Sequence, residues 1–390
     1  MSSRGRRPGP GSGTPVRLTP DNLPDFEAGL ALLGSGGGGG TKPLSWALGP
    51  ELRRRPVDIV PFDSLAPDQG VALVGIVGGT SVLPEKPPSG HEHEAAQAAL
   101  TRHGLGQPDA IMALECAGQN GICAALAAAK TGLPLVDADL MGRAMPSVDQ
   151  LSSSGRVDLG PIAFATPTGE VALVEPCAPD RLEAILRAAV VAWGGWVLVL
   201  TGPVPVRQLR RAALTGTPTR ALTLGRALLA APPGTPTETI ASLIGGRLIA
   251  EGRIAEVVRD LQGQRFGRGH LTIQDPARGL ARVAFENEFL LASLDGRVVA
   301  TAPDLLVLLA PSDRDLLRPE RLRPGPHVAV IAAPGPAWWR ATPERLRRVA
   351  PRAFGIDHDP VLGPALTGPA LTGPARPAAP GRAPDGGEAR

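Results

Sequence analysis

Three short segments carry side chains that could move protons. Glu115-Cys-Ala-Gly-Gln-Asn120 follows the apolar run Ala110 to Leu114, Asp137-Ala-Asp139-Leu-Met-Gly-Arg143-Ala-Met-Pro146 follows Leu133 to Val136, and Gly78-Gly79-Thr80-Ser81 follows Val71 to Val77. If the three runs are buried strands of one open sheet, the segments lie at the carboxyl ends where such sheets bind substrates. Three carboxylates, an amide, a guanidinium and glycine-rich backbone would then share an edge. Paired carboxylates repel, so one can keep a proton as an acid while the other acts as a base, or both can hold a hard divalent metal. On this reading Glu115, Asp137 and Asp139 are catalytic, Arg143 clamps a carboxylate or oxyanion, and Asn120 orients an amide. The structural alternative stands beside it: Asp137 caps the following turn, Asp139 pairs with Arg143, and Glu115 is satisfied within its loop.

The glycine run Gly36, Gly37, Gly38, Gly39 and Gly40 follows a helical pattern rather than a strand and lacks the Gly-Lys-Ser/Thr ending of a phosphate loop. It suits close approach of backbone amides to a small ligand, or a hinge. His91-Glu92-His93-Glu94 does not have the spacing of a zinc helix and reads as a solvent-exposed helix start. Cys116 reads as a buried thiol, with a nucleophile as the alternative, and Cys123 and Cys177 read as core residues. Glu286-Asn-Glu288 ends a strand pattern late in the chain; Glu288 either closes over the site or serves a hairpin.

The elements that must position these groups alternate. Helical patterns at Leu23 to Leu33, Ala95 to Leu105 and Ile122 to Thr131 separate the three apolar runs, which favours a parallel sheet with right-handed crossovers. Leu182 to Leu200 reads as a helix followed by a buried strand. Later come helices at Asp180 to Ala192 and Thr219 to Ala230, then short strands at Gly252 to Asp260, His270 to Gln274, Arg282 to Asn287, Arg297 to Thr301 and Val328 to Ala332. Asp295-Gly296 is a hairpin signal. The expected fold is α/β, with an N-terminal parallel-sheet domain over residues 18–165 and a more β-rich α+β domain over 166–359. The Gly-, Pro- and Arg-rich residues 1–17 and the Pro/Ala/Gly-rich residues 360–390 read as disordered tails.

Composition excludes some functions. The 40 Lys and Arg against 37 Asp and Glu leave a net charge of +3, and aromatics are only 3% of the chain; a nucleic-acid binder needs concentrated basic residues and stacking rings. No apolar run reaches the length of a membrane span, and three cysteines without a CxxC pair suit a reducing, cytoplasmic setting.

The residues also resemble a known family. Leu32-Leu-Gly-Ser-Gly-Gly-Gly-Gly39, the Glu115-x-x-Gly118-x-Asn120 loop and Val136-Asp-x-Asp-x-Met-Gly-Arg-Ala-x-Pro146 look like the N-terminal domain of S-methyl thiohydantoin desulfurase-like proteins. Gly245-Gly-Arg-Leu, Phe285-Glu-Asn-Glu288, Ala302-Pro-Asp304 and Pro351-Arg-Ala-Phe-Gly-Ile-Asp357 look like the C-terminal one. The resemblance implies a hydrolase that releases methanethiol from an S-methyl thiohydantoin to leave a hydantoin, with a carboxylate base or a metal-bound water. Asp137 or Asp139 would activate the water, Arg143 and Asn120 would orient the ring, and the glycine amides would line the pocket. It departs from the family pattern at Thr41-Lys42, Ser147 and Ala117, where two carboxylates of that pattern are missing. The expected partner is a small-molecule substrate, with a homo-oligomer or a hydantoinase-like protein as further partners. The other function in view is a non-catalytic small-ligand binding or accessory role.

Overall fold

The computed structural model describes residues 16–80, 82–260 and 267–364, and in it the apolar runs become two sheets joined through helices. The first sheet contains β1 (Val16–Leu18), β2 (Val57–Pro61), β3 (Gly70–Gly78), β4 (Ala110–Ala113), β5 (Leu135–Asp139), β6 (Ile162–Ala165), β7 (Val171–Val174) and β8 (Trp196–Thr201), in the order β1-β2-β5-β4-β3-β8-β6-β7. β2, β5, β4 and β3 run parallel. They are nearly continuous apolar runs because the sheet is covered on both faces, and Val71, Ala72, Leu73 and Val74 are fully buried. β8 enters antiparallel beside β3 and carries the β6–β7 hairpin on its other edge, so the sheet is mixed. Two short strands, β9 (Val204–Pro205) and β10 (Leu214–Thr215), add to β3 and β5.

The first half supplies α1 (Leu23–Gly34), α2 (Lys42–Arg54), α3 (Glu92–Arg102) and α4 (Gly118–Thr131). α2 escapes sequence reading because Pro43, Gly49 and Pro50 break its pattern, yet Leu44, Leu48 and Leu52 recur every fourth residue and are all buried. The chain continues with α5 (Pro179–Ala192), α6 (Val206–Leu209), α7 (Thr217–Ala230) and α8 (Thr237–Leu243). α7 lies against α1 with backbones in contact: a Cβ on Gly29 would sit 1.7 Å from the Ala221 carbonyl oxygen, and one on Gly225 1.7 Å from that of Asp25. Only glycine allows that approach.

The second sheet is antiparallel throughout: β11 (Arg247–Asp260), β12 (Arg268–Asp275), β13 (Gly279–Glu286), β14 (Glu288–Leu294), β15 (Arg297–Thr301), β16 (Leu305–Leu309), β17 (Leu316–Leu317) and β18 (His327–Ala333), ordered β15-β14-β13-β12-β11-β18-β16-β17. Asp295 and Gly296, at φ 46° and 78°, make the expected tight turn between β14 and β15.

Several expectations need correction. β5 runs on to Asp139, so Asp137 and Asp139 stand in the strand rather than in the loop after it. Cys177 is exposed, whereas Cys116 and Cys123 are buried. Val16 and Arg17, expected in a tail, pair with β2, and Val361 and Gly363 bond to Thr301 and Asp304. The rest of both expected tails, residues 1–15 and 365–390, lies outside the described residues, as does Ser81. β7 and β8, although beyond residue 165, belong to the first sheet.

Candidate active site

The glycine run at 36–40 stands where the two sheets meet. α1 ends in a left-handed Ser35 (φ 49°), followed by left-handed Gly36, Gly38 and Gly39. The Ser35 hydroxyl donates to the Leu306 carbonyl at 2.7 Å and accepts from the Leu306 amide at 2.8 Å, while its carbonyl accepts from the Phe289 amide at 2.8 Å. Ser35 therefore stitches the end of α1 between β14 and β16. Each following glycine faces a group that a side chain would strike: Gly36 the Phe289 ring, Gly37 the Glu288 carboxylate, Gly38 the backbone of Ala117 and Gly118, Gly39 the Gln119 amide, and Gly40 the Arg318 guanidinium. The Gly38 carbonyl also accepts from the Gln119 amide at 2.7 Å, which ties the run to the first turn of α4.

Behind the run lies a buried acid pair. Glu115 accepts from the Asn120 side-chain amide at 3.3 Å and from the Met145 backbone amide at 3.3 Å, and Asn120 is itself fixed because its Oδ1 accepts from the Ile76 amide at 2.6 Å. Glu288, on β14, accepts from Asn287 Nδ2 at 2.7 Å through Oε1; its buried Oε2 has no hydrogen-bond partner among the described residues. Burial, and then the Glu288 charge, hold the Glu115 carboxyl well above its usual range, and burial pushes Glu288 up to about 8 against the pull of Arg143. The Arg143 guanidinium, brought down to about 10 by burial, is held up by both carboxylates. Two acids from opposite halves of the chain thus lie within electrostatic reach of one buried cation, and burial biases both carboxyls toward the protonated form.

The remaining predicted site residues are bound up in the framework. Asp139 is fully buried and accepts from the amides of Cys116 (2.8 Å) and Gly142 (2.9 Å) and from the Thr217 hydroxyl (2.9 Å). Burial raises it to about 6 in spite of these donors. Asp137 accepts from the Thr219 amide (3.0 Å) and hydroxyl (2.8 Å), so it caps α7 rather than a neighbouring turn. Arg143 does not pair with Asp139; it donates to the backbone carbonyls of Ala144, Asp304 and Phe289. Cys116 is a buried thiol, in keeping with the buried-thiol reading, and burial and the Asp139 charge drive its pKa well up. The Asp139 oxygens are taken up by the Cys116 and Gly142 amides and the Thr217 hydroxyl, and no group of three or more His, Cys, Asp or Glu among the described residues is arranged to hold a metal ion.

A cavity of about 810 Å³ adjoins the run, with Gly36, Gly37, Gly39 and Gly40 in its wall. Glu115, Asn120, Asp137, Asp139, Arg143 and Glu288 do not line it; Gly37 is the peptide between the cavity and the Glu288 carboxylate. Thr80, from the segment after β3 that the sequence placed at this edge, also lines the cavity; sequence reading missed Ile76 and Trp196 from the first sheet and one stripe of α4 comprising Gln119, Cys123, Leu126, Ala127 and Lys130. It also placed the HEHE tract in solvent. Glu92 and His93 are in fact buried, and His93 lines the cavity. The signal was available, because Ala96 and Leu100 follow Glu92 at four-residue intervals on one helix face.

Two sheets meeting on a glycine run, with an acid from each half behind it and a cavity beside it, define a two-part α/β protein. Residues 21–176 match the S-Me-THD-like N-terminal domain and residues 178–361 the S-Me-THD-like C-terminal domain, so the chain belongs to the S-Me-THD-like family. A crystal structure of a protein from Chromobacterium violaceum is similar over 90% of this chain and 99% of that one, at 25% identity and a TM-score of 0.73. No curated protein matches significantly. No helix of the described residues is long and apolar enough to cross a membrane.

Proposed function

We propose that the chain is a hydrolase of small cyclic imidazolidinones that releases a thiol from an S-methyl thiohydantoin-like ring and leaves a hydantoin. The observation that carries this reading is the buried pair Glu115 and Glu288, both held above the usual carboxylate range, with the Glu288 carboxylate packed against Gly37 in the cavity wall. The reaction needs two proton movements. As water oxygen adds to the ring carbon bearing sulfur, the ionised member of the pair takes a proton from the water and the protonated member gives one to the ring nitrogen. Collapse to the carbonyl then breaks the carbon–sulfur bond, and the departing thiolate leaves with the hydroxyl proton as a thiol. Arg143 keeps the pair near neutral overall, and Asn120 orients Glu115. Glycine at 37 leaves only backbone between ring and acid, so a small shift of the run brings them together.

Membership of the S-Me-THD-like family supports the substrate class. One observation favours a second reading, that of a non-catalytic binding or accessory protein: neither acid lines the cavity as it stands. The test is methanethiol and hydantoin formation from a panel of S-methyl thiohydantoins, followed by chromatography with mass detection. The hydrolase reading expects turnover that Glu288→Gln reduces by at least about a hundredfold. Thermal stabilisation by the panel without any product would replace it with the binding reading.

A further inference from the structure

The cavity wall contributed by α3 and α4 carries two buried polar atoms that the proposed chemistry does not use. Gln119 is 5% exposed and His93 7% exposed; both line the cavity, and Gln119 Oε1 and His93 Nε2 have no hydrogen-bond partner among the described residues. An unpaired buried polar atom is destabilising, so two in one wall point to a ligand that satisfies them. Their placement gives that ligand a shape. Gln119 packs on Gly39 at the end of the cavity nearest the acid pair, whereas His93 lies within reach of the charge of Lys130, about three turns of α4 and roughly 16 Å further on. Between them the α4 stripe is apolar, with Cys123, Leu126 and Ala127.

We propose that this wall is a recognition subsite for an uncharged, hydrogen-bonding arm carried by the ring: Gln119 takes a ring N–H, and His93 takes the polar end of the arm. The inference rests on the reading of the cavity as the site of the ring. Burial holds the His93 imidazole down at about 4, so it is neutral at physiological pH. The imidazole itself offers a carboxylate no opposite charge, and Lys130 beside it already donates to the Gly90 carbonyl and would repel an ammonium, whereas a hydroxyl or carboxamide pairs with either imidazole tautomer.

The experiment measures calorimetric binding of S-methyl thiohydantoins and their hydantoin products bearing 5-hydroxyalkyl arms of increasing length, each against the isosteric 5-alkyl arm. The subsite expects one arm length at which the hydroxyl is preferred by about tenfold. His93→Phe should bring that ratio to within about twofold of unity, and His93→Asn, which keeps a polar end and guards against a misfolded Phe variant, should retain part of it. Gln119→Met should erase any preference for rings with a free N–H over N-methylated ones. Rings that bind without arm discrimination, or a ratio that survives in both His93 variants, would overturn the subsite and leave the hydrolase reading standing. Failure of every ring to bind would overturn both.

Discussion

Glu288 keeps its proton to about pH 8, and a group of that kind writes itself into the pH dependence of folding as well as of chemistry. Its ordinary value is 4.5. Between those two values the folded chain holds a proton that the unfolded chain has released, so stability falls as pH rises from about 4.5 through about 8. Glu115, also raised, adds to the same slope. Glu288→Gln should therefore flatten the decline, and urea midpoints measured from about pH 5 to about pH 9 should show the variant gaining on the wild type as pH increases. Turnover should fall on the alkaline side as Glu288 loses the proton it would give to the ring nitrogen. At this scale the sequence was half legible. Glu115, Asn120, Glu288 and the glycine run were recognisable by residue type. The tasks of Asp137 and Asp139 were not, because their partners Thr219 and Thr217 arrive with α7, far along the chain, and no local spacing announces them.

The elements are held in place by backbone contacts that only glycine permits. Gly118 opens α4 at φ 50°, and a Cβ there would sit 2.2 Å from the Gly38 carbonyl oxygen. Gly118→Ala thus combines left-handed strain with a collision against backbone that cannot rotate away. It should cost about 2–4 kcal/mol in denaturant unfolding and lower turnover further by displacing the 36–40 wall. Strand and helix positions in the first half were legible because parallel strands buried on both faces read as unbroken apolar runs. α2 was hidden by its prolines, and β5 appeared to end early because a strand terminating in Asp-Ala-Asp looks like a loop until Cys116, Gly142 and the two threonines are seen to satisfy those carboxylates.

On the scale of the whole molecule, Arg143 is the fastener. From the loop after β5 it reaches the carbonyls of Asp304 and Phe289 in the second half, and it is fully buried. Arg143→Met keeps much of the volume but strands those carbonyls and leaves the acid pair without its cation. A loss of about 3–5 kcal/mol is expected, with unfolding that separates into two steps by circular dichroism as the halves come apart. The two-part architecture was legible in the change from alternating helices and strands to successive strands, but the interlock was not, since it is made of main-chain carbonyls that any sequence possesses.

That interlock also dictates an order of events during synthesis. The β6–β7 hairpin joins the first sheet only through β8, and α1 receives its glycine-seamed neighbour only when α7 exists. The edge of β3 stays uncovered until β8 has left the ribosome at about residue 201, and the apolar flank of α1 until about residue 230, although the N-terminal family module ends at 176. The nascent chain is therefore exposed to aggregation for longer than its modular sequence suggests.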